Sequence, residues 1–370
     1  MSESSARGIL TIDLGAVAAN WQALARRTAP SACGAVVKAD AYGLGVARVA
    51  PALFAAGCRT YFVASVEEGV ELRGILGPDP AILVLNSPEP VRDARAHDLI
   101  PVLNSPAQID TWIAAGRAAG AVLPAAVHVD TGMNRLGLSA HETAEFAVDR
   151  ARRDGVDVVL VMSHLACAED PAHPMNRHQL TDFLRRIAAL PAAPASLANS
   201  AGILLGQPYH FQLSRPGIAL YGGQVSSDPT LAMAEVVHLQ GKIVQVRRVD
   251  TPESVGYGAA FHVSGPSRIA TVAVGYADGY PRSAGAQGSD LARGSVIVSG
   301  MRVPIVGRVS MDLITIDVTA VPESAAHSGA LVSLIGGGMA LDEVASAAGT
   351  ISYEILTSLG PRYERRYLEG

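Results

Sequence analysis

The segment AVVKADAYGLG, residues 35–45, ends an apolar run in Lys38 and follows it at once with Asp40, Tyr42 and two glycines. A lysine carried on a buried strand tip can lose its proton on desolvation, and its amine can then form a Schiff base with an aldehyde. Other polar groups also come just after apolar runs: Arg135 in DTGMNR, His164 in SHLACAED, Asn199 and Ser200 in NSAG, and Arg215 in SRPG. Singly, each has an ordinary use. A strand-end lysine is a rim charge, a lone histidine is structural, a lone arginine is an ion-pair partner, and Ser200 ahead of Ala-Gly is a helix N-cap. Together they offer an amine at one place and, around Ser200, Gly217 and Ile218, a hydroxyl, free N–H groups and a favourable dipole end at another. The second set suits a phosphate. The pair points to pyridoxal 5′-phosphate, for which Arg215 would face the ring nitrogen. A guanidinium only donates, so that nitrogen would stay unprotonated and the cofactor would be a weaker electron sink. Quick reprotonation of a carbanion would then win over side reactions such as transamination.

The elements that must position these groups are legible as a repeating pattern. Short apolar runs at 34–37, 61–64, 81–85, 100–103, 124–129, 157–162, 195–198 and 217–221 suit strands buried on both faces. Helix-like segments lie between them. VARVAPALFAAG puts Val46, Val49, Leu53 and Phe54 on one side and stops at Gly57. Ser105-Pro106 opens a second helix, SAHETAEFAVDRARRDG has capping-box spacing at Ser139 to Glu142 and reads as a single helix stopping at Gly155, and HPMNRHQLTDFLRRIAAL reads as another. The alternation predicts an α/β fold, an N-terminal (β/α)8 TIM-type barrel over 1–228, with chemistry at the C-terminal strand ends; an open doubly wound sheet is the alternative. GGQVSSDPT reads as a linker. Beyond it, Val/Ile/Thr-rich runs with turn signals predict a mainly β C-terminal domain over 229–370, with one helix at LDEVASAAG.

Composition narrows the class. The 370 residues are 49% hydrophobic and 17% charged, enough for a large core. Net charge is −5 with no basic block, so a nucleic-acid partner is not expected. Cys33, Cys58 and Cys167 have no metal or disulfide spacing, and no stretch is apolar for the roughly 20 residues of a membrane span. MSESSARGIL lacks an apolar leader. A cytoplasmic protein with no metal and no membrane contact is expected.

AVVKADAYGLG closely resembles the cofactor-lysine signature of alanine racemases. The resemblance continues through HVDTGMNRLG, SHLACAED, LSRPGIALYG, VGYGAAF, VAVGYADGYPR, VGRVSMDLITIDV and ISYEILTSLGPRYERRY, in the same order over nearly the whole chain. It implies a barrel followed by a β domain in a head-to-tail homodimer that interconverts L- and D-alanine with pyridoxal phosphate. It implies that Lys38 holds the cofactor and is one base, and that Tyr257, from the other subunit, is the opposing base. Arg215 would face the pyridine nitrogen and His164 would link it toward Tyr257. Tyr42, Asn199, Ser200, Gly217, Ile218 and Tyr353 would hold the cofactor, mainly at its phosphate. Arg135 and the backbone near Met311 would contact the substrate carboxylate, and Asp312 would shape the entrance. One position departs from the family pattern: His128 stands where many members carry a lysine, in some carbamylated, that pairs with the Arg135 equivalent. Arg135 must then be oriented by another acceptor or an anion, with His128 as a candidate hydrogen-bond partner.

Two bases on opposite faces invert a centre without moving the substrate. A free tyrosine has a pKa of about 10, so Tyr257 needs the Arg215 charge, relayed through His164, to favour its phenolate. Rival expectations are a broader-specificity amino-acid racemase, a decarboxylase of the same layout, which would present acidic groups to the ring nitrogen, and a non-catalytic cofactor carrier, which would need no second base. The cellular role is read as D-alanine supply for peptidoglycan or alanine catabolism.

Overall fold

The computed structural model describes residues 6–225, 232–286 and 293–369. Two compact units are present. One runs essentially over Val17–Leu220; the other gathers the residues up to Ala16 and those from Ala234 onward.

The first unit is built on seven parallel strands paired in chain order: Ala35–Val36, Thr60–Val63, Ala81–Val84, Ile100–Leu103, Leu123–His128, Val156–Met162 and Ala195–Ser196. Apolar side chains dominate these runs because both faces are covered. The ring is closed by an eighth strand, Leu213–Ser214, which pairs parallel with Ala32–Cys33 just ahead of the first strand. Backbone bonds on either side complete the circuit: Gln212 N–H to Ala195 O at 3.0 Å, Arg215 N–H to Ala198 O at 2.9 Å, and Val36 N–H to Pro216 O at 2.9 Å. The expected barrel is present, with one correction. The apolar run 217–221 is not the eighth strand; Ile218–Tyr221 is a 3-10 turn. It is buried, with Ile218, Leu220 and Tyr221 all inside. Burial alone made it look like a strand, since a short apolar run does not reveal its own geometry.

The helices follow their local signals. Ser105 caps Pro106–Ala119, and Ser139 with Glu142 forms a full capping box at Ala140–Val148. Asp149 adopts an extended ψ and starts a separate turn at Arg150–Arg153, so the expected single helix is two.

In the second unit a 13-residue strand, Val237–Val249, is shared. Its first half pairs with Gly8–Asp13 and Leu331–Ile335, and its second half with Ser267–Val272. Gly8–Asp13 sits between Val237–Val249 and Glu364–Leu368, parallel to the latter. Val255, Val263, Ile269 and Val306 form a core cluster. The expected domain division is corrected at its start. Ile9, Leu10 and Ile12 are buried in the β unit's sheet rather than in the barrel. The later boundary, at 228/229, and most of the expected linker lie outside the described residues.

Candidate functional site

Lys38 opens the loop after the first barrel strand. The next four residues, Ala39 to Tyr42, all have positive φ between 52° and 57°, so the chain makes a left-handed helical turn of non-glycine residues. Each such residue costs roughly 1–2 kcal/mol, which must be offset by contacts that admit no other path. Those contacts are present. Ala39 N–H donates to Glu68 Oε1 at 2.8 Å, and Val46 N–H donates to Asp40 Oδ1 at 2.7 Å. Gly45 N–H donates to Asp40 O at 3.0 Å. Gly43 and Gly45, with φ of 81° and 94°, carry the chain out of the turn. The Lys38 amine is held below its usual pKa, first by burial and then by the Arg135 guanidinium, with Glu68 opposing.

Arg215 is buried, and its two terminal nitrogens are held. Its Nη2 donates to Ser163 O at 2.6 Å and to Leu197 O at 3.4 Å, and its Nη1 to Ser196 Oγ. Burial pulls its pKa down to about 9, so it stays charged at neutral pH. Arg215 Nη2 also lies 3.5 Å from His164 Nδ1. Because a guanidinium only donates, Nδ1 is the acceptor and the His164 proton sits on Nε2. Burial and the nearby cations Arg215 and Arg135 keep His164 neutral.

His128 is oriented by Asn104, whose Oδ1 is 2.7 Å from His128 Nδ1. The Asn104 amide hydrogens go to the carbonyls of Leu85, Asn86 and Val102. Its oxygen is therefore the acceptor, His128 Nδ1 the donor, and Nε2 an open lone pair. Burial, with Arg215 second, pushes the His128 pKa down to about 4. Arg135 is exposed on the loop 130–137, and its charge reaches Lys38, His128 and His164.

The donors expected around Ser200 come together, with a correction. Asn199, not Ser200, caps the helix Ser200–Leu204, accepting from Gly202 N–H at 2.8 Å. Ser200 Oγ is instead turned to the next strand end, where it accepts from Gly217 N–H at 2.8 Å and Ala219 N–H at 3.3 Å. With only five residues the helix adds little dipole; the hydroxyls and loop N–H groups define this corner. Gly217 has a steric reason. A Cβ there would stand 2.2 Å from Tyr42 Oη, so the absent side chain is what lets the Tyr42 hydroxyl lie against this backbone. Lys38, Tyr42, Ser200 and Gly217 are thereby linked through one turn and one strand end.

Tyr257, Met311, Asp312 and Tyr353 belong to the other unit. Tyr257 is 71% exposed in the 3-10 turn Tyr257–Ala259, between two positive-φ glycines, and Met311 is 55% exposed. A large aromatic ring and a thioether left in water form no part of their own unit's core. Asp312 pairs with Arg362 at 2.7 Å, and the same guanidinium holds Asp278 at 3.1 Å. Tyr353 is half-buried on the helix Ser352–Ser358.

Two family models match: the alanine racemase N-terminal domain over residues 12–225 and the alanine racemase C-terminal domain over 236–367. The chain belongs to the alanine racemase family. An alanine racemase of Rhodospirillum rubrum is 51% identical over 99% of this chain and 97% of its own length. A catabolic alanine racemase of Mesorhizobium japonicum is 46% identical over 100% of this chain and 96% of its own. The crystal structure of the alanine racemase from Bartonella henselae, with covalently bound pyridoxal phosphate, superposes with a TM-score of 0.92 at 40% identity, covering 98% of this chain and 100% of that one.

Several residues that tie these loops together escaped sequence reasoning. Gln179 is fully buried. Its Oε1 accepts from Ala166 N–H, and its Nε2 donates to His164 O at 2.9 Å and Thr131 Oγ1 at 3.2 Å. Thr131 in turn meets Ser163 Oγ at 2.8 Å. This buried web ties the loop bearing Arg135 to the loop bearing His164. A signal existed: Asn176, Gln179 and Phe183 share the inward face of one helix, and a glutamine at such a position must be satisfied by something. Asn104, Ser196 and Glu68 offered no comparable sign.

Proposed function

We propose that this chain is a pyridoxal 5′-phosphate-dependent racemase that interconverts L- and D-alanine by two bases, Lys38 and Tyr257 of the partner subunit. The observation that carries the reading is the convergence within one barrel of a depressed lysine amine, a hydroxyl and backbone N–H corner, and a buried arginine–histidine pair. The corner opened by Gly217 fits the cofactor: Tyr42, Ser200, Gly217 and Ile218 would hold its phosphate, with Tyr353 joining them, Asn199 fixing Ser200, and Lys38 its aldehyde carbon. When bound, the cofactor acidifies the α-hydrogen of the amino acid joined to it.

The chain's own groups do the rest. A lysine of lowered proton affinity is a free base more of the time at neutral pH, as proton removal from D-alanine requires. Arg215 offers the pyridine nitrogen only donors. His164, neutral and protonated at Nε2, donates from that atom to the Tyr257 phenolic oxygen. A donated bond favours the phenolate and lowers the tyrosine's proton affinity, which prepares it for the L-alanine hydrogen. Arg135 and the Met311 backbone hold the substrate carboxylate, and Asp312 narrows the approach.

The β unit would complete the partner's site in a head-to-tail homodimer. We read the enzyme as cytoplasmic, in keeping with its three free thiols, and as serving D-alanine supply for peptidoglycan or alanine catabolism. The test is isotopic. In deuterated water, Tyr257→Phe should slow α-hydrogen exchange from L-alanine at least about tenfold more than from D-alanine, a difference of roughly 1.4 kcal/mol between the two faces. Equal slowing would remove Tyr257 from its role.

A further inference from the structure

The left-handed turn after Lys38 is anchored by a residue from a different element. Glu68 lies in the first turn of the helix Val66–Leu76, at the position from which a capping-box carboxylate returns to its own N-cap. It does not do so. Its Oε2 accepts from Ala64 N–H at 2.7 Å, at the end of the second barrel strand, and its Oε1 accepts from Ala39 N–H at 2.8 Å. One carboxylate thus joins the residue directly after Lys38 to the neighbouring strand end. The helix keeps its cap separately, through Ser65 Oγ and Glu68 N–H.

We propose that Glu68 is the positioning residue of Lys38: its two backbone bonds hold the left-handed turn closed and so fix the depth at which the amine is presented. The proposal rests on Lys38 being the cofactor lysine. The bond to Ala39 closes the entrance of a turn whose four residues all sit in an unfavourable backbone region. Asp40 pins the exit through Gly45 and Val46. A carboxylate suits the entrance because each of its two oxygens accepts from a different N–H group, whereas a glutamine would turn an NH2 donor toward one of those N–H groups. Glu68 also supplies the negative charge that offsets burial and Arg135 at the Lys38 amine, while His164 contributes none, being neutral.

The test separates clamp from charge. Glu68→Gln removes both; Glu68→Asp keeps the charge but shortens the reach; Glu67→Gln, on the exposed neighbouring side chain, is the control. Three quantities are read: half-saturation by pyridoxal 5′-phosphate of the cofactor-stripped protein, deuterium uptake of the peptide spanning 37–46, and the pH midpoint of covalent attachment. Glu68→Gln should raise half-saturation at least about tenfold, speed uptake in 37–46, and move the midpoint to lower pH. Glu68→Asp should speed uptake while leaving the midpoint in place, and Glu67→Gln should change nothing. In the unaltered protein the Ala39 amide should exchange slowly although Ala39 itself is exposed. This measurement stands even if a variant fails to fold. Fast exchange there, or Glu68→Gln indistinguishable from the parent, overturns the proposal. Borohydride reduction followed by peptide mapping tests the underlying reading alone: a label away from Lys38 would refute the lysine assignment instead.

Discussion

Single atoms decide much at this site. Gly217 is defined by the 2.2 Å that would separate its Cβ from Tyr42 Oη. Gly217→Ala should displace that hydroxyl and weaken pyridoxal phosphate binding about tenfold, or ~1.4 kcal/mol. In a Tyr42→Phe background the same substitution should cost much less, since the clashing atom is gone; a fully additive pair in spectral titrations would contradict the contact. His128 yields a pH prediction. Its folded pKa of about 4 lies below the 6.5 of an exposed imidazole, so between those values the unfolded chain binds the extra proton. Stability from this residue is full above pH 6.5 and falls as pH drops toward 4, by up to ~3 kcal/mol. His128→Asn should flatten urea-measured stability over that window by about one proton. His164, also depressed, leaves a remaining slope of the same sign. The polar residues at strand ends were legible because they interrupt apolar runs. Asn104 was not, since its role exists only once Leu103 and His128 stand on neighbouring strands.

Elements explain which residues face which. The turn GYADGYPR docks against the loop that carries Met311 and Asp312. Tyr276 N–H donates to Ser310 O at 3.0 Å and Ala277 N–H to Met311 O at 2.9 Å. Gly275 lets the two backbones approach, for a Cβ there would stand 2.4 Å from both the Ser310 and Met311 carbonyl oxygens. Gly275→Ala should push that loop outward, destabilise by ~1–3 kcal/mol, and raise KM for alanine more than it lowers kcat. Steady-state kinetics beside thermal melting would check it; an unchanged KM would mean the loop does not meet substrate. Helix caps were legible because Ser105 and Ser139 act within their own turns. The eighth strand was not. Leu213–Ser214 is too short to show a period, and the louder apolar run after it is a buried turn.

At the scale of the whole chain, the β unit is assembled from both ends of the sequence. Gly8–Asp13 is an interior strand of its sheet, and burying Ile9, Leu10 and Ile12 contributes ~1.5–3 kcal/mol apiece. A fragment of residues 234–370 should therefore fail to unfold cooperatively, whereas the same fragment with residues 6–16 joined ahead of it through a flexible linker should do so. Calorimetry on both checks this; a cooperative transition in the bare fragment would show the first strand to be dispensable. No sequence pattern announced this pairing, because the alternation in GILTID suits a barrel and a β domain equally well.

That strand has a temporal meaning too. It is made before the barrel, yet both of its neighbours are encoded after the barrel. At ~5–20 residues per second, the more than two hundred residues between Gly8 and Val237 take roughly ten to forty seconds to translate. For that interval a short aliphatic segment waits unpaired beside a nascent barrel, open to chaperones or to wrong edges. Slowing translation late in the message should lengthen this exposure and lower soluble yield, while leaving the finished enzyme unchanged.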